Sequence, residues 1–343
     1  VRVVVLTTSY PRQGAEHAGR FVADAVEHLR AAGIDVDVLA PGRYRDFGLA
    51  GPDGILPQLR RRPWAGPLLM GSMTRAARAA ARDADLVHAH WLPTATAALL
   101  ARVPYVVTLH GSDVALARRW PRLARRVLRR AHGVIAVSAA LADEARGLGA
   151  SAVAVIPNGI EIPAEPGADA DPPYVLYAGR LAPEKGVEEL VTAARGLPLV
   201  VAGDGPLRDR VPGALGWVPR PELERLLSGA TVVACPSRRE GFGIVCAEAM
   251  ARGRAVVASS VGGLLDLVAH ERTGLLVPPG DPAALRAALQ RLLDDAPLRQ
   301  RLGEAARAHV SELCAWDRVT ERTIAAYRHA VSAPPGRARG SPR

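Results

Sequence analysis

Two carboxylates with seven residues between them, Glu240 and Glu248, fall in the stretch REGFGIVCAEAM, residues 239–250. Carboxylates accept hydrogen bonds from hydroxyls, so a pair at this spacing suits two sugars flanking a diphosphate. Gly241 and Gly243 permit close backbone approach, and the free amides of Gly243, Ile244 and Val245 at a helix start make a site for an anion such as phosphate. The same letters also fit a capping acid followed by an ordinary surface glutamate. About 60 residues upstream lies GRLAPEKG, residues 179–186, with the cations Arg180 and Lys185. Lys185 is the one lysine among 44 basic residues. Lysine offers a compact point charge on a flexible stem where arginine offers a planar fork. A pocket that admits only the compact group explains the lysine; so does chance.

A third candidate is His110 in TLHGSDV, where a strand closes. It suits a polar contact to a ligand, and it equally suits a plain turn in which Asp113 caps the next helix. HAHW, residues 88–91, places His88 and His90 at another strand end. No third ligand in a zinc-binding pattern accompanies them, so a wall facing a ligand or simple packing remains for the pair. Asp83-Ala84-Asp85 and Asp169-Ala170-Asp171 read as solvated loop acids. GDGPLR, residues 203–208, lacks the third glycine of a dinucleotide fingerprint and reads as a tight strand-to-helix turn.

These residues need elements to hold them. VRVVVLTT precedes a helical pattern in which Val22, Val26 and Leu29 share a face and Gly33 stops the helix. IDVDVLA, DLVHA, PYVVTLH and GVIAVS follow as strands separated by helical segments, and this alternation predicts a parallel sheet covered on both faces. It lapses at EIPAEPGADADPP, residues 161–173, where four prolines predict a linker. Alternation resumes with PYVLYAG, LPLVVAG, ATVVACPS and RAVVASS. The reading is α/β with two doubly wound domains, 1–160 and 174–332, and a disordered tail over 333–343. At 343 residues the chain exceeds what one core usually supports, which agrees. Open sheets of this kind bind ligands beyond the carboxyl ends of their strands, where the residues above fall.

Composition narrows the class. No uncharged apolar run reaches membrane-spanning length, and the N-terminus reads as strand and turn rather than a signal peptide. Cys235, Cys246 and Cys314 have no metal-ligand spacing and are expected to be reduced thiols, which points to the cytoplasm. Residues 1–160 carry 21 Arg against 12 Asp and Glu, a balance of +9, while the remainder carries 23 basic against 22 acidic residues. An anionic partner is therefore expected for the first half only. WPRLARRVLRRAHG, residues 120–133, concentrates that charge on an amphipathic helix with Leu123 and Val127 on its apolar side. A solvated face is one reading; contact with anionic lipid or a lipid-linked acceptor is the other. No nucleic-acid motif accompanies the charge, so nucleic acid is not expected.

EGFGIVCAE with GRLAPEKG upstream resembles glycosyltransferase family 4, the retaining enzymes of the GT-B fold. The similarity continues in VIPNGI (155–160), VVAGDGPLRDRV (200–211), SVGGLLDLV (260–268) and RTGLLVPPGD (272–281). It implies two Rossmann-like domains facing across a cleft, with the final WDRV helix returning to the first. It implies that Arg180 and Lys185 grip the donor's diphosphate, that Glu248 holds the ribose hydroxyls and that Glu240 contacts the transferred sugar. The backbone of Gly241, Phe242, Gly243, Ile244 and Val245 would line sugar and phosphates, and His110 would reach the sugar from the acceptor side. The loop SYPRQGAEHAGRF stands where the family has a paired glycine; this chain has Ala18–Gly19, so Gly19 is the residue carried over. The expected donor is a nucleoside diphosphate sugar, UDP- or GDP-linked, with no metal and no further cofactor. The expected acceptor is a glycan, a lipid-linked or a small-molecule hydroxyl, in the cytoplasm or peripherally at the inner face of the membrane. Metal-binding D-x-D acids belong to glycosyltransferases of another fold, so the two D-x-D stretches are not assigned that role. The same pocket also serves sugar phosphorylases and nucleotide-sugar epimerases, and a non-catalytic nucleotide-sugar sensor would share its donor residues.

Overall fold

The computed structural model describes residues 1–12, 18–51 and 55–332, and it divides into two compact units. The first comprises Val1–Gly159 with the chain from Trp316 onward, and the second Ile160–Ala315. The tail expected over 333–343 lies outside the described residues.

In the first unit six strands form one parallel sheet: β1 (Arg2–Leu6), β2 (Asp35–Leu39), β3 (Leu86–His90), β4 (Tyr105–Leu109), β5 (Gly133–Ala136) and β6 (Val153–Val155). Their order is β2-β1-β3-β4-β5-β6. Strand side chains alternate between faces, and β1 shows what that does in a sheet buried on both sides. Val4 and Leu6 pack into one apolar layer with Leu69, Met73 and Leu92. Val3 and Val5 pack into the other, with Val22, Val26 and Leu29 of the helix Arg20–Ala31. The terminal helix Trp316–Ser332 completes that second layer through Val319, Tyr327 and Ala330.

The second unit holds β7 (Val175–Ala178), β8 (Leu199–Ala202), β9 (Val232–Cys235), β10 (Ala255–Ser259) and β11 (Leu275–Val277), all parallel, in the order β11-β10-β9-β7-β8. Both sheets reverse their winding once, between β1 and β3 in the first and between β7 and β9 in the second. Helices leave the two central strands toward opposite faces there, and a crevice opens between the loops that follow them.

Two local features differ from the sequence reading. Residues 161–173, expected as a linker, are bound into the second unit: Asp169 pairs with Arg254 at 2.7 Å and Arg299 at 3.1 Å. Gly167 donates its N–H to the Arg252 carbonyl at 2.8 Å and Arg307 donates to the Ala164 carbonyl at 3.0 Å. Asp169 and Asp85 are exposed, as solvated loop acids are, and both are also partnered, Asp85 by the Arg2 N–H at 2.8 Å. On the basic helix Pro121–Arg130, Leu123 is exposed; the buried side is Ala124, Val127 and Leu128. The heavy arginine content obscures the phase of so short an apolar stripe.

Candidate active site

In the second unit the loop after β7 carries Arg180 and Lys185, and the loop after β9 carries Glu240. These are the two strands at the winding reversal, so topology alone brings the loops together. Backbone bonds then fix them: the N–H groups of Arg238 and Arg239 donate to the Glu184 carbonyl at 2.9 and 3.2 Å. Gly186 takes a left-handed φ of 66°, and a Cβ there would stand 2.0 Å from the Pro236 carbonyl oxygen, so only glycine lets the loops close. Across this contact Lys185 Nζ lies 2.7 Å from Glu240 Oε2, and Ser237 Oγ donates to the same oxygen at 3.1 Å. Both charges are largely withdrawn from solvent, with Lys185 30% and Glu240 16% exposed at the side chain. The ammonium reaches its partner as a point charge at the end of a stem, the geometry for which lysine differs from arginine. Arg180 lies farther out. Its ion pair is with Glu184 at 3.9 Å, and its side chain is 53% exposed.

Glu240 is held from behind by the turn after β10. Gly262 has φ 49°, and a Cβ there would come within 2.0 Å of the Glu240 carbonyl oxygen; Gly263 donates its N–H to that oxygen at 3.1 Å. The chain then enters the helix Ile244–Ala251 with Gly243 as its N-cap at φ 103°. Unbonded N–H groups cluster at the start of a helix, and those of Ile244 and Val245 begin this one. Phe242 is buried. Glu248, one turn further on, is buried and paired with Arg220.

The first unit assembles a different cluster at the carboxyl ends of β3 and β4. Nδ1 of His90 and Nε2 of His110 lie 2.9 Å apart, with the rings nearly parallel. Phe21 and Trp91 flank the His110 ring at 5.0 and 4.9 Å between centroids. His88 is buried beneath, its Nδ1 2.6 Å from the Tyr327 hydroxyl and its Nε2 2.7 Å from Thr108 Oγ1. Burial pushes His88 and His110 down to about 3, His88 adding to the shift on His110, and His90 moves well below its ordinary value for the same reason. All three are neutral imidazoles at physiological pH. Asp113 does not cap the helix Ser112–Arg119 from its end. It is buried and accepts from His110 N and Leu92 N, both at 2.7 Å, tying the ends of β3 and β4 together. Burial raises its carboxyl to about 6 despite those backbone bonds. Gly19 begins the helix Arg20–Ala31 at φ 64° and packs against the Ser9 carbonyl, while residues 13–17 of the same loop lie outside the described residues.

Sequence reasoning missed the His90–His110 contact, the Asp113 tie and Arg220. HAHW and TLHGSDV had flagged both histidines, and only the pairing of β3 with β4, which sets Ala89 beside Val107 and His90 beside Thr108, shows that they meet. Arg220 follows Pro219 at a helix start, with nothing nearby in sequence to connect it to Glu248.

Residues 18–162 match the family described as "Glycosyltransferase Family 4", and residues 172–295 that described as "Glycosyl transferases group 1". Alpha-maltose-1-phosphate synthase of Mycolicibacterium smegmatis is 33% identical, over 96% of this chain and 99% of the relative. The chain belongs to glycosyltransferase family 4. Glycogen synthase of Mycobacterium tuberculosis is also 33% identical, over 71% of this chain and 68% of its own. Among solved structures, sucrose-phosphate synthase from Thermosynechococcus elongatus superposes with a TM-score of 0.78 at 24% identity, covering 97% of this chain and all of that one. Anabaena HepE, solved with UDP and glucose, gives a TM-score of 0.71 at 22% identity, over 94% of this chain and 98% of HepE. The fold of this family 4 chain is therefore GT-B, two doubly wound parallel units.

Proposed function

We propose that this family 4 glycosyltransferase is a retaining hexosyltransferase that moves a hexose from a nucleoside diphosphate sugar to an acceptor hydroxyl. The observation that carries the reading is the Lys185–Glu240 pair at the winding reversal of the second unit, beside the start of the helix Ile244–Ala251. A diphosphate leaving group gains charge as the glycosidic bond breaks. Cations and amides already in place stabilise that charge without reorganising. Lys185, Arg180 and the amides of Gly243, Ile244 and Val245 supply them, and Glu240, when its cation turns to the diphosphate, is left to accept from the sugar's hydroxyls. Gly241 and Phe242 offer backbone only, and Glu248 takes the ribose. A neutral His110 suits contact with a sugar hydroxyl rather than with phosphate. No metal is required, because the cationic side chains and amides take the part a metal would play.

UDP or GDP is the preferred carrier, and HepE's complex with UDP supports the former. The basic first unit favours an anionic acceptor, and a relative that makes maltose 1-phosphate supports an acceptor bearing phosphate. A lipid-linked glycan has the same charge, and Arg122, Arg125, Arg126, Arg129 and Arg130 beside exposed Trp120 would bring the enzyme to an anionic membrane surface. No helix among the described residues is long and apolar enough to cross a membrane. The test is a screen of UDP-, GDP- and ADP-sugars with phosphorylated sugars and lipid-linked acceptors, reading nucleoside diphosphate release and the anomeric configuration of the product by NMR. Transfer with retained configuration is expected. Sugar phosphate formed from inorganic phosphate, epimerised donor, or binding with no release under any acceptor would each replace this reading. Co-sedimentation with anionic but not neutral vesicles, lost at high salt, is expected if the arginine face meets lipid.

A further inference from the structure

Glu248 is a buried carboxylate, and a buried charge is tolerated only when it is paired. Its partner comes from outside every motif that marks the site. Arg220 opens the helix Arg220–Gly229, and its guanidinium is used twice: Nε donates to Glu224 Oε1 at 2.6 Å, one turn along the same helix, and Nη1 donates to Glu248 Oε1. The first grip fixes the arginine, and the fixed arginine then fixes one oxygen of Glu248. Arg252, itself buried, donates from Nη1 to the Glu248 carbonyl at 3.1 Å and so anchors the backbone of the same residue. Glu248 is held at both ends, through Oε1 and through its backbone carbonyl.

We propose that Arg220 is a positioning residue for ribose recognition: by engaging Oε1 of Glu248 it presents Oε2 to a ribose hydroxyl. This rests on the reading that Glu248 takes the ribose. Without Arg220 the carboxylate could rotate, and it would be drawn toward the Arg252 guanidinium, whose charge it already feels. The consequence is confined to the ribose. Arg220 does not hold the diphosphate in this arrangement, so its loss should abolish the preference for a ribonucleotide over the matching deoxynucleotide and leave deoxynucleotide affinity as it was.

The experiment is calorimetry of the full chain with UDP against 2′-deoxy-UDP, and GDP against 2′-deoxy-GDP, for wild type, Glu248→Gln, Arg220→Gln and Arg220→Lys. Wild type is expected to favour the ribo form by about tenfold, the scale of one hydrogen bond to a charged group. Arg220→Gln should reduce that ratio to about twofold or less with deoxynucleotide affinity unchanged within about twofold, and Arg220→Lys should restore part of it. Thermal melts check that the variants fold, and the ratio is read within each variant so that a general loss of affinity cancels. If Arg220→Gln weakens both forms equally, or tightens the ribo form, Arg220 contacts the nucleotide or competes with it, and the inference is overturned. If Glu248→Gln keeps the full preference while Arg220→Gln loses it, the ribose reading of Glu248 is what has failed, and Arg220 acts by another route. Failure of every nucleotide to bind overturns both.

Discussion

Acidification should destabilise the first unit, and the amount follows from its histidines. His88 and His110 hold protons far less readily in the fold than an ordinary imidazole near 6.5, both being pushed down to about 3 by burial. A folded value below the unfolded one means that the unfolded chain takes up protons first, so stability is full above 6.5 and falls as pH drops toward 3. From about pH 7.5 to about pH 5.5 the loss per histidine is about 1.4 kcal/mol, and it scarcely changes for any folded value below about 4.5. Asp113 opposes them. Its carboxyl is raised from 3.8 to about 6, so its contribution is full at low pH and is lost as pH rises through 6; over the same descent it returns about 0.8 kcal/mol. Two histidines against one aspartate leave a net loss of about 2 kcal/mol, and His90, shifted the same way, deepens it. For a unit of this size that is a fall of roughly 4–8 °C in midpoint.

The assay is urea unfolding by circular dichroism at the two pH values. Other carboxylates titrate as well, so the decisive quantity is the difference between wild type and His88→Gln or His110→Gln. Each variant should be less pH-dependent by about 1.4 kcal/mol, whatever its stability at neutral pH. Variants with the same pH dependence as wild type would show that the imidazoles protonate freely in the folded chain, and the buried-cluster account would be wrong.

Lys185→Ala should lower turnover by about 100- to 1,000-fold, the scale of removing one preorganised group from a developing anion. Lys185→Arg should recover only part of this, and recovery to wild-type turnover would show that the compact ammonium does not matter. Glu248→Ala should raise the Kd for UDP or GDP by tenfold or more, roughly, with little change in saturated turnover; an unchanged Kd in calorimetry counts against the ribose assignment. Gly262→Ala should lower the melting temperature of the second unit and the affinity for nucleotide together, because its Cβ would meet the Glu240 carbonyl oxygen at 2.0 Å; a neutral substitution there would mean the turn is looser than it stands. Turnover should survive EDTA, and its abolition, restored by added divalent cation, would require a metal in the mechanism.

Much of this was legible in the sequence because parallel sheets announce themselves. Strands buried on both faces read as unbroken apolar runs, and VRVVVL, PYVVTL, LPLVVA and RAVVAS are such runs. The strands left unread were β6 and β11, three residues each, at the edges of their sheets, where short runs carry little apolar signal. The segment 161–173 misled for a related reason. Prolines and small residues mark a stretch without regular structure, and they say nothing of whether arginines elsewhere in the chain, here Arg254, Arg299 and Arg307, bind it down. Motif letters located Lys185, Glu240, Glu248 and His110, yet the partners of the last two, Arg220 and His90, lay 28 and 20 residues away and were set by packing.

The pairing of Lys185 with Glu240 also bears on why a lone lysine survives in so arginine-rich a chain. Elsewhere in the chain an arginine spreads its fork over a surface carboxylate, as Arg225 does with Glu222 and Arg291 with Glu271. Lys185 instead meets Glu240 where loops close on one another, Gly186 against the Pro236 carbonyl and Gly262 against the Glu240 carbonyl. Those glycines leave no room for a side-chain carbon of their own, and the lysine supplies a more compact charge than the fork of an arginine. Held this way, the two charges satisfy each other, and Ser237 donates to the same carboxylate oxygen. On the proposed function, a diphosphate would draw the cation away from Glu240. The same displacement would free the carboxylate for the sugar, coupling nucleotide and sugar recognition through one ion pair rather than adding them independently.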